Sequence, residues 1–212
     1  MKLAIFGATG KTGVPLVKQA LEAGHEVVAF GRTPAKLKEQ QGEHERLSFV
    51  AGDATDAAAV KRAVAGADAV ISVLGHSKNS PKNMQTVATK NIVAAMKEHG
   101  VRRLVSLTGA GVSDPKDEPK LADKIIRFLL KRLSGEVLKD AENHAEVLKA
   151  SDLDWVIVRG PMLTNGPYTG NYRVGYVGKG SGTRASRADV ADFMVKQLKD
   201  DSYLRQAPMV SS

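Results

Sequence analysis

The segment Gly7-Ala8-Thr9-Gly10-Lys11-Thr12-Gly13 constrains this chain more than any other. It follows a short apolar run, Lys2 to Phe6, and precedes an amphipathic stretch, Thr12 to Ala23. The run reads as a fully buried strand. The stretch reads as a helix whose Val14, Val17, Ala20 and Leu21 share a face. Pro15 sits in its first turn, where a missing N–H costs little, and Gly24 stops it. A strand that turns through glycines into a helix leaves the first helical N–H groups and the positive end of the helix dipole free. Each glycine then has a task. Gly7 allows the sharp turn, Gly10 lets a phosphate approach the backbone, and Gly13 lets helix and strand pack closely. The spacing is GxxGxxG. A triphosphate-binding loop needs GxxxxGK[ST], and the position five before Gly10 is Ile5, inside the strand.

The same alternation continues. Strands are expected at Val27–Phe30, Leu47–Val50, Ala69–Leu74 and Val101–Leu107. The helices between them are Arg32–Gln41, Asp56–Val64 with Asp56 as a possible N-cap, and Lys82–His99 with Val87, Asn91, Ile92, Ala95 and Met96 inward. Five strands linked by helices predict an α/β fold, a doubly wound parallel sheet with helices on both faces. After Thr108 the pattern changes. Gly109–Pro119 is turn-rich. Two helices follow, Lys120–Leu133 and Glu136–Ala150, joined at Ser134-Gly135. Then come a sixth strand at Trp155–Val158, a short one at Tyr172–Val177, and a last helix at Ser186–Leu198 capped by Ser186 or Asp189. With no repeat or linker, residues 1–212 read as one domain. Residues 1–110 form a cofactor half, and 111–212 form a substrate pocket and a small C-terminal cap.

Ligands of such sheets bind outside the carboxyl ends of the strands. Gly7, Thr9, Gly10, Lys11 and Thr12 would hold a pyrophosphate. The second strand ends in Gly31-Arg32-Thr33, where an NAD site usually carries an acid for the ribose diol. A guanidinium instead pairs with a 2′-phosphate, so Arg32, with Thr33 or Lys36, points to NADP, unless Arg32 is only a solvated loop residue. Asp53 either accepts from the adenine amino group or caps the next helix, with Ala54 beside it. Leu74 and Gly75 pass the ribose, and His76 follows toward the substrate pocket.

Composition narrows the rest. The 212 residues include no cysteine, which excludes disulfides, thiolate metal sites and a cysteine nucleophile. Five scattered histidines show no metal spacing, so no metal is expected. The N-terminus has no long apolar stretch with a cleavage site, and no window approaches the roughly 18 apolar residues of a membrane helix. A cytoplasmic protein that inserts in no membrane is the expectation. The net charge of +8 suits an anionic partner. Asp123, Lys124, Arg127, Lys131, Arg132 and Lys139 read as a solvated helical face of mixed sign, so neither nucleic acid nor a membrane is expected as a partner.

Further stretches carry a resemblance. They are Gly7-Ala8-Thr9-Gly10 with Gly13, Gly52-Asp53, Asn91 to Met96, Val105-Ser106-Leu107-Thr108, Asp154 to Arg159, Tyr168-Thr169-Gly170 and Ser186 to Ala191. With these the chain resembles the atypical, extended-type short-chain dehydrogenase/reductase superfamily. Within it, the chain is similar to NmrA-like NAD(P)H-binding proteins and the biliverdin reductase B/flavin reductase group. The resemblance implies a Rossmann fold and an NAD(P)H cofactor, which Arg32 narrows to NADPH. It departs at the Tyr-x-x-x-Lys pair, whose places fall on Leu138 and Glu142. Thr108 stands at the active-site Ser position and is the catalytic candidate. Where the flavin-reductase group often has a His after the sixth strand, Gly160-Pro161 is followed by Met162.

The implied activity is NADPH-dependent hydride transfer to a planar acceptor. The acceptor is a quinone or a flavin, with FMN or FAD as substrate rather than tightly bound. Thr108, Pro161 and Met162 would flank the nicotinamide, and Tyr168 or Tyr172 would stack on the acceptor or merely pack the cap. The alternative is an NmrA-like sensor that binds NADP without turnover. A sugar-nucleotide epimerase is disfavoured by the short C-terminal third. The partner is a small-molecule acceptor, and the protein a monomer or homodimer.

Overall fold

The computed structural model describes residues 1–77 and 79–212. β1 (Lys2–Phe6) alternates its side chains across a sheet, and both sides are buried. Leu3 and Ile5 pack with α1 (Gly13–Glu22) and α6 (Arg187–Lys196), while Ala4 and Phe6 face the other core. Around β1 the sheet continues through β2 (Glu26–Gly31), β3 (Leu47–Ala51), β4 (Ala69–Ser72), β5 (Arg103–Gly109) and β6 (Asp154–Gly160). The order is β3-β2-β1-β4-β5-β6, parallel throughout, as in the doubly wound nucleotide-binding sheets.

The other face carries α3 (Ala57–Val64), α4 (Met84–Glu98) and α5 (Leu121–Lys149). α2 (Pro34–Gln41) packs beside α1. Asp56 caps α3, accepting from the N–H groups of Ala58 (2.9 Å) and Ala59 (3.4 Å). α4 presents a slightly different stripe from the one expected. Ala88 and Thr89 are buried, whereas Val87 and Asn91 are only half-buried. Asn91 instead donates to the Ala54 carbonyl at 3.0 Å.

The two helices expected around Ser134-Gly135 form one run, α5, kinked at Ser134 (φ −142°, ψ 37°). Ser186 caps α6, its hydroxyl accepting from the Asp189 N–H at 3.0 Å. Asp189 is therefore not the cap. Its carboxylate is turned to the N–H groups of Thr169 (2.8 Å) and Gly170 (3.0 Å).

The C-terminal third does more than cap the sheet. β10 (Met209–Ser211) joins β6 in parallel, and β8 (Arg173–Gly175) pairs antiparallel with β10, which extends the sheet to eight strands. β7 (Met162–Thr164) and β9 (Arg184–Ser186) form a separate pair. A buried ion pair ties this region together. Arg159, with no exposed surface, holds Asp117 bidentately at 2.7 Å through each nitrogen and also donates to the carbonyls of Ala207 and Val112.

Beneath α5, His144 is buried with Thr89 Oγ1 at 2.7 Å from its Nδ1 and Ser106 Oγ at 3.4 Å from its Nε2. Burial pulls its pKa down from 6.5 to about 4, against a smaller upward pull from Asp140. Between those two pH values the unfolded chain binds a proton that the folded chain refuses, so stability rises with pH through that window and is lost on acidification. Acidifying from pH 7 to pH 5 is expected to cost about 2 kcal/mol at this group. Urea unfolding midpoints at the two pH values check it, with His144→Asn showing a smaller drop than the wild type.

Candidate active site

The carboxyl ends of the six parallel strands open onto one cavity of about 720 Å³. Gly7 and Thr9 to Thr12 follow β1, Gly31 and Arg32 follow β2, and Gly52 to Ala54 follow β3. Val73 to His76 follow β4, Thr108 and Gly109 end β5, and Gly160 and Pro161 end β6. All of these line the cavity. Four cations, Lys11, Arg32, Lys36 and Arg187, face one lining carboxylate, Asp53, so the site favours an anionic ligand.

The glycine turn is built as a cradle. Gly7 has φ +81°, and a Cβ there would lie 2.8 Å from the Val73 carbonyl oxygen. At Gly13 a Cβ would lie 2.1 Å from the Gly7 carbonyl oxygen, so only glycine lets α1 start this close to the turn. Thr12, the residue before α1, makes no side-chain cap bond. Among the described residues, the backbone N–H groups of Lys11, Thr12 and Gly13 find no acceptor. Free N–H groups, an uncapped helix end and Lys11 together form an anion site that suits a pyrophosphate.

Asp53 does not cap a helix, since Asp56 does. Its Oδ1 accepts from Thr55 N (2.8 Å) and Thr55 Oγ1 (2.7 Å). Those bonds, with help from the Arg32 charge, hold its carboxyl below the usual range, so it remains an ionised acceptor at the cavity wall. Leu74 lends its carbonyl to the Gln85 side chain at 2.8 Å.

Thr108 and His76 both line the cavity. Thr108 is buried, and its hydroxyl has no hydrogen-bond partner among the described residues, a cost that a ligand oxygen or nitrogen would relieve. His76 also lines the cavity, with Nε2 2.8 Å from Asp140 Oδ2. Asp140 is buried and caps α4 from outside, taking the N–H groups of Gln85 (2.7 Å) and Thr86 (3.0 Å) and the Thr86 hydroxyl (2.5 Å). Burial pushes its carboxyl up, but these bonds together outweigh it, and the group sits below the usual range. An ionised Asp140 can only accept, so His76 Nε2 carries the proton and its ring orientation is set.

Asp140 was not legible as a site residue. Nothing local in Lys139-Asp140-Ala141 signals a cap for a helix about 55 positions earlier, and only the packing of α5 on α4 shows it.

Three expected residues fall elsewhere. Met162 is 55% exposed and absent from the cavity, where Leu163 takes its place, because the β7 pairing turns Leu163 inward against Gly160. Tyr168 and Tyr172 do not line the cavity either. Both hydroxyls reach Asp192 on α6, at 3.4 and 2.7 Å, and the Tyr172 ring meets Phe193 edge-on at 6.1 Å. Tyr172 packs into the C-terminal region, while Tyr168 stays 54% exposed beside it. At the positions of the missing pair, Leu138 lines the cavity and Glu142 binds Arg127 at 2.9 Å. Among the described residues, no group of three or more His, Asp and Glu is gathered for a metal.

Residues 7–201 match the model of the NAD(P)H-binding family. The chain belongs to that family. As an NAD(P)H-binding protein it aligns with 2-alkyl-3-oxoalkanoate reductase of Stenotrophomonas maltophilia, 32% identical over 124 residues, covering 56% of this chain and 36% of that protein. An uncharacterised chloroplastic protein of Arabidopsis thaliana is 30% identical over 176 residues, covering 80% of this chain and 62% of that one. The chain spans about a third of the length of the first curated relatives it matches. Its fold is that of a short-chain dehydrogenase/reductase from Veillonella parvula, solved in complex with NADP. The TM-score is 0.83 at 22% identity, covering all of this chain and 94% of that one. The Rossmann architecture is thus shared with the short-chain dehydrogenase/reductase superfamily.

Proposed function

We propose that this protein is an NADPH-dependent reductase that passes hydride to a planar acceptor, a free flavin first and a quinone second. The observation that carries the cofactor choice is Arg32 at the end of β2, in a cavity whose lining has four cations and one carboxylate. A 2′-phosphate gains from that guanidinium, and no acid at this strand end competes for the ribose diol. The Veillonella parvula protein, solved with NADP, and the reductases among the relatives support the same reading.

When bound, NADPH supplies the hydride. The chain's own residues hold and shape the rest. The glycine turn and α1 end take the pyrophosphate, Asp53 takes a donor from the adenosine, and Leu107, Pro161 and Leu163 give the ring an apolar wall. Two electrons and one proton enter the acceptor with the hydride, and the second proton comes from solvent, while His76, which Asp140 keeps oriented through Nε2, leaves Nδ1 as an acceptor. Leu138 and Glu142 offer no phenol–ammonium pair, which favours an acceptor that needs no strong protein acid.

The Thr108 hydroxyl is free to donate to that acceptor. Thr108→Val is therefore expected to keep the Tm within about 2 °C while lowering kcat/KM for acceptor reduction about tenfold, the worth of one hydrogen bond. Thermal unfolding and steady-state rates check both halves. The absent pair also favours a second reading, an NADP sensor without turnover. Calorimetry showing tight NADPH binding, together with no oxidation across flavins and quinones, would establish it instead.

A further inference from the structure

The helical segment 121–133, the first part of α5, is not the solvated mixed-sign face expected from its charges. Leu121, Ile125, Ile126, Phe128, Leu129 and Leu133 all show large exposed surface, reaching 74% at Leu121 and 80% at Leu133. Placed at 100° per residue, these side chains share one arc of about 160° of the helix circumference. Lys124, Arg127 and Lys131 run as an i, i+3, i+7 stripe opposite them, while Arg132 falls within the apolar arc, between Leu121 and Ile125. Four cations against Asp123 make the segment +3.

Apolar surface this concentrated is seldom left open to water. Behind the helix, Lys124, Arg127, Lys131 and Lys139 line a groove of about 670 Å³ together with Phe128, Leu138 and Glu142. Among the described residues, Arg127 alone of these cations has a carboxylate partner, and Arg132 has none. A cationic groove beside a broad apolar face is the pattern of a helix lying in a lipid–water interface.

We propose that residues 121–133 dock the protein on an anionic phospholipid bilayer. The apolar face enters the acyl boundary, and the groove cations take headgroup phosphates. Charge decides for this occupant over a second copy of the chain, because a two-fold contact through the same face would set one +3 segment against another. Among the described residues no helix is long and apolar enough to cross a membrane, and the proposed contact is a peripheral one. Leu130 and Leu138 also line the cofactor cavity, which places its mouth near the docked surface.

The test is flotation of the full-length protein with vesicles of phosphatidylcholine alone and with a phosphatidylglycerol fraction, at low and high salt. The wild type is expected to float with the anionic vesicles, to stay behind with the neutral ones, and to be released by salt. Lys124→Gln/Lys131→Gln/Arg132→Gln is expected to lower anionic partitioning on the order of a hundredfold, at about tenfold or less per cation near the surface. Ile125→Asp/Leu129→Asp is expected to abolish it. Neither variant touches the cofactor cavity lining, so unchanged NADPH affinity reports that both fold. Failure of the wild type to bind anionic vesicles overturns the proposal. So does equal binding by the triple variant, or a solution dimer that Ile125→Asp/Leu129→Asp splits while vesicles are ignored.

Discussion

Arg32→Asp is expected to weaken NADPH binding by at least about a hundredfold while changing NADH affinity less than about threefold. A charge-assisted pair with the 2′-phosphate is worth roughly 1.5–3 kcal/mol, and the new carboxylate adds repulsion to the loss. NADH carries no phosphate there, and an acid at this strand end suits its ribose diol. Arg32 lines the cavity without an ion-pair partner among the described residues, so its removal breaks no contact within the fold. Calorimetric titration of both cofactors against both proteins reads the effect as a ratio. Equal losses for the two cofactors would remove Arg32 from the 2′-phosphate site.

The second large effect is structural in origin. In Gly13→Ala the added carbon would sit 2.1 Å from the Gly7 carbonyl oxygen and 2.7 Å from two backbone atoms of Ala8. Backbone atoms cannot rotate aside as a side chain can. Either α1 lifts from the turn or the turn opens, and both dismantle the N–H cradle. The cost is expected above the roughly 3 kcal/mol of ordinary overpacking, which lowers the Tm by on the order of 10 °C in a chain of this size. NADPH binding is lost with it. Gly75→Ala is the contrast, since a Cβ there meets nothing within 4 Å and its φ is not positive. That variant is expected to melt within about 1 °C of the wild type. Differential scanning calorimetry of the pair separates the packing role of one glycine from mere abundance of glycine.

The parts legible in the sequence are those encoded locally. β1, the glycine turn and α1 stand where Lys2–Phe6, Gly7–Gly13 and the Val14 to Leu21 stripe place them, because each is set by neighbours a few positions apart. Asp56 reads as a cap for the same reason. What the sequence does not show depends on distant partners. β10 is three residues long, too short for any periodicity, and exists because β6 offers it an unpaired edge. Asp140 carries the signal of a surface helix and becomes a buried cap only when α5 crosses α4. Tyr168 and Tyr172 look like stacking residues from composition, yet Asp192 draws both hydroxyls to α6. Alternating charges suggest a solvated helix at 121–133, but charge pattern alone does not tell whether the leucines between them find a core.

Acceptor-dependent oxidation of NADPH, followed as loss of the reduced-nicotinamide absorbance with free FMN and with a soluble quinone, tests the central claim most directly. Saturable oxidation well above the protein-free rate, much slower with NADH and reduced in Arg32→Asp, is the predicted result. NADPH that binds tightly and stays reduced with every acceptor contradicts it.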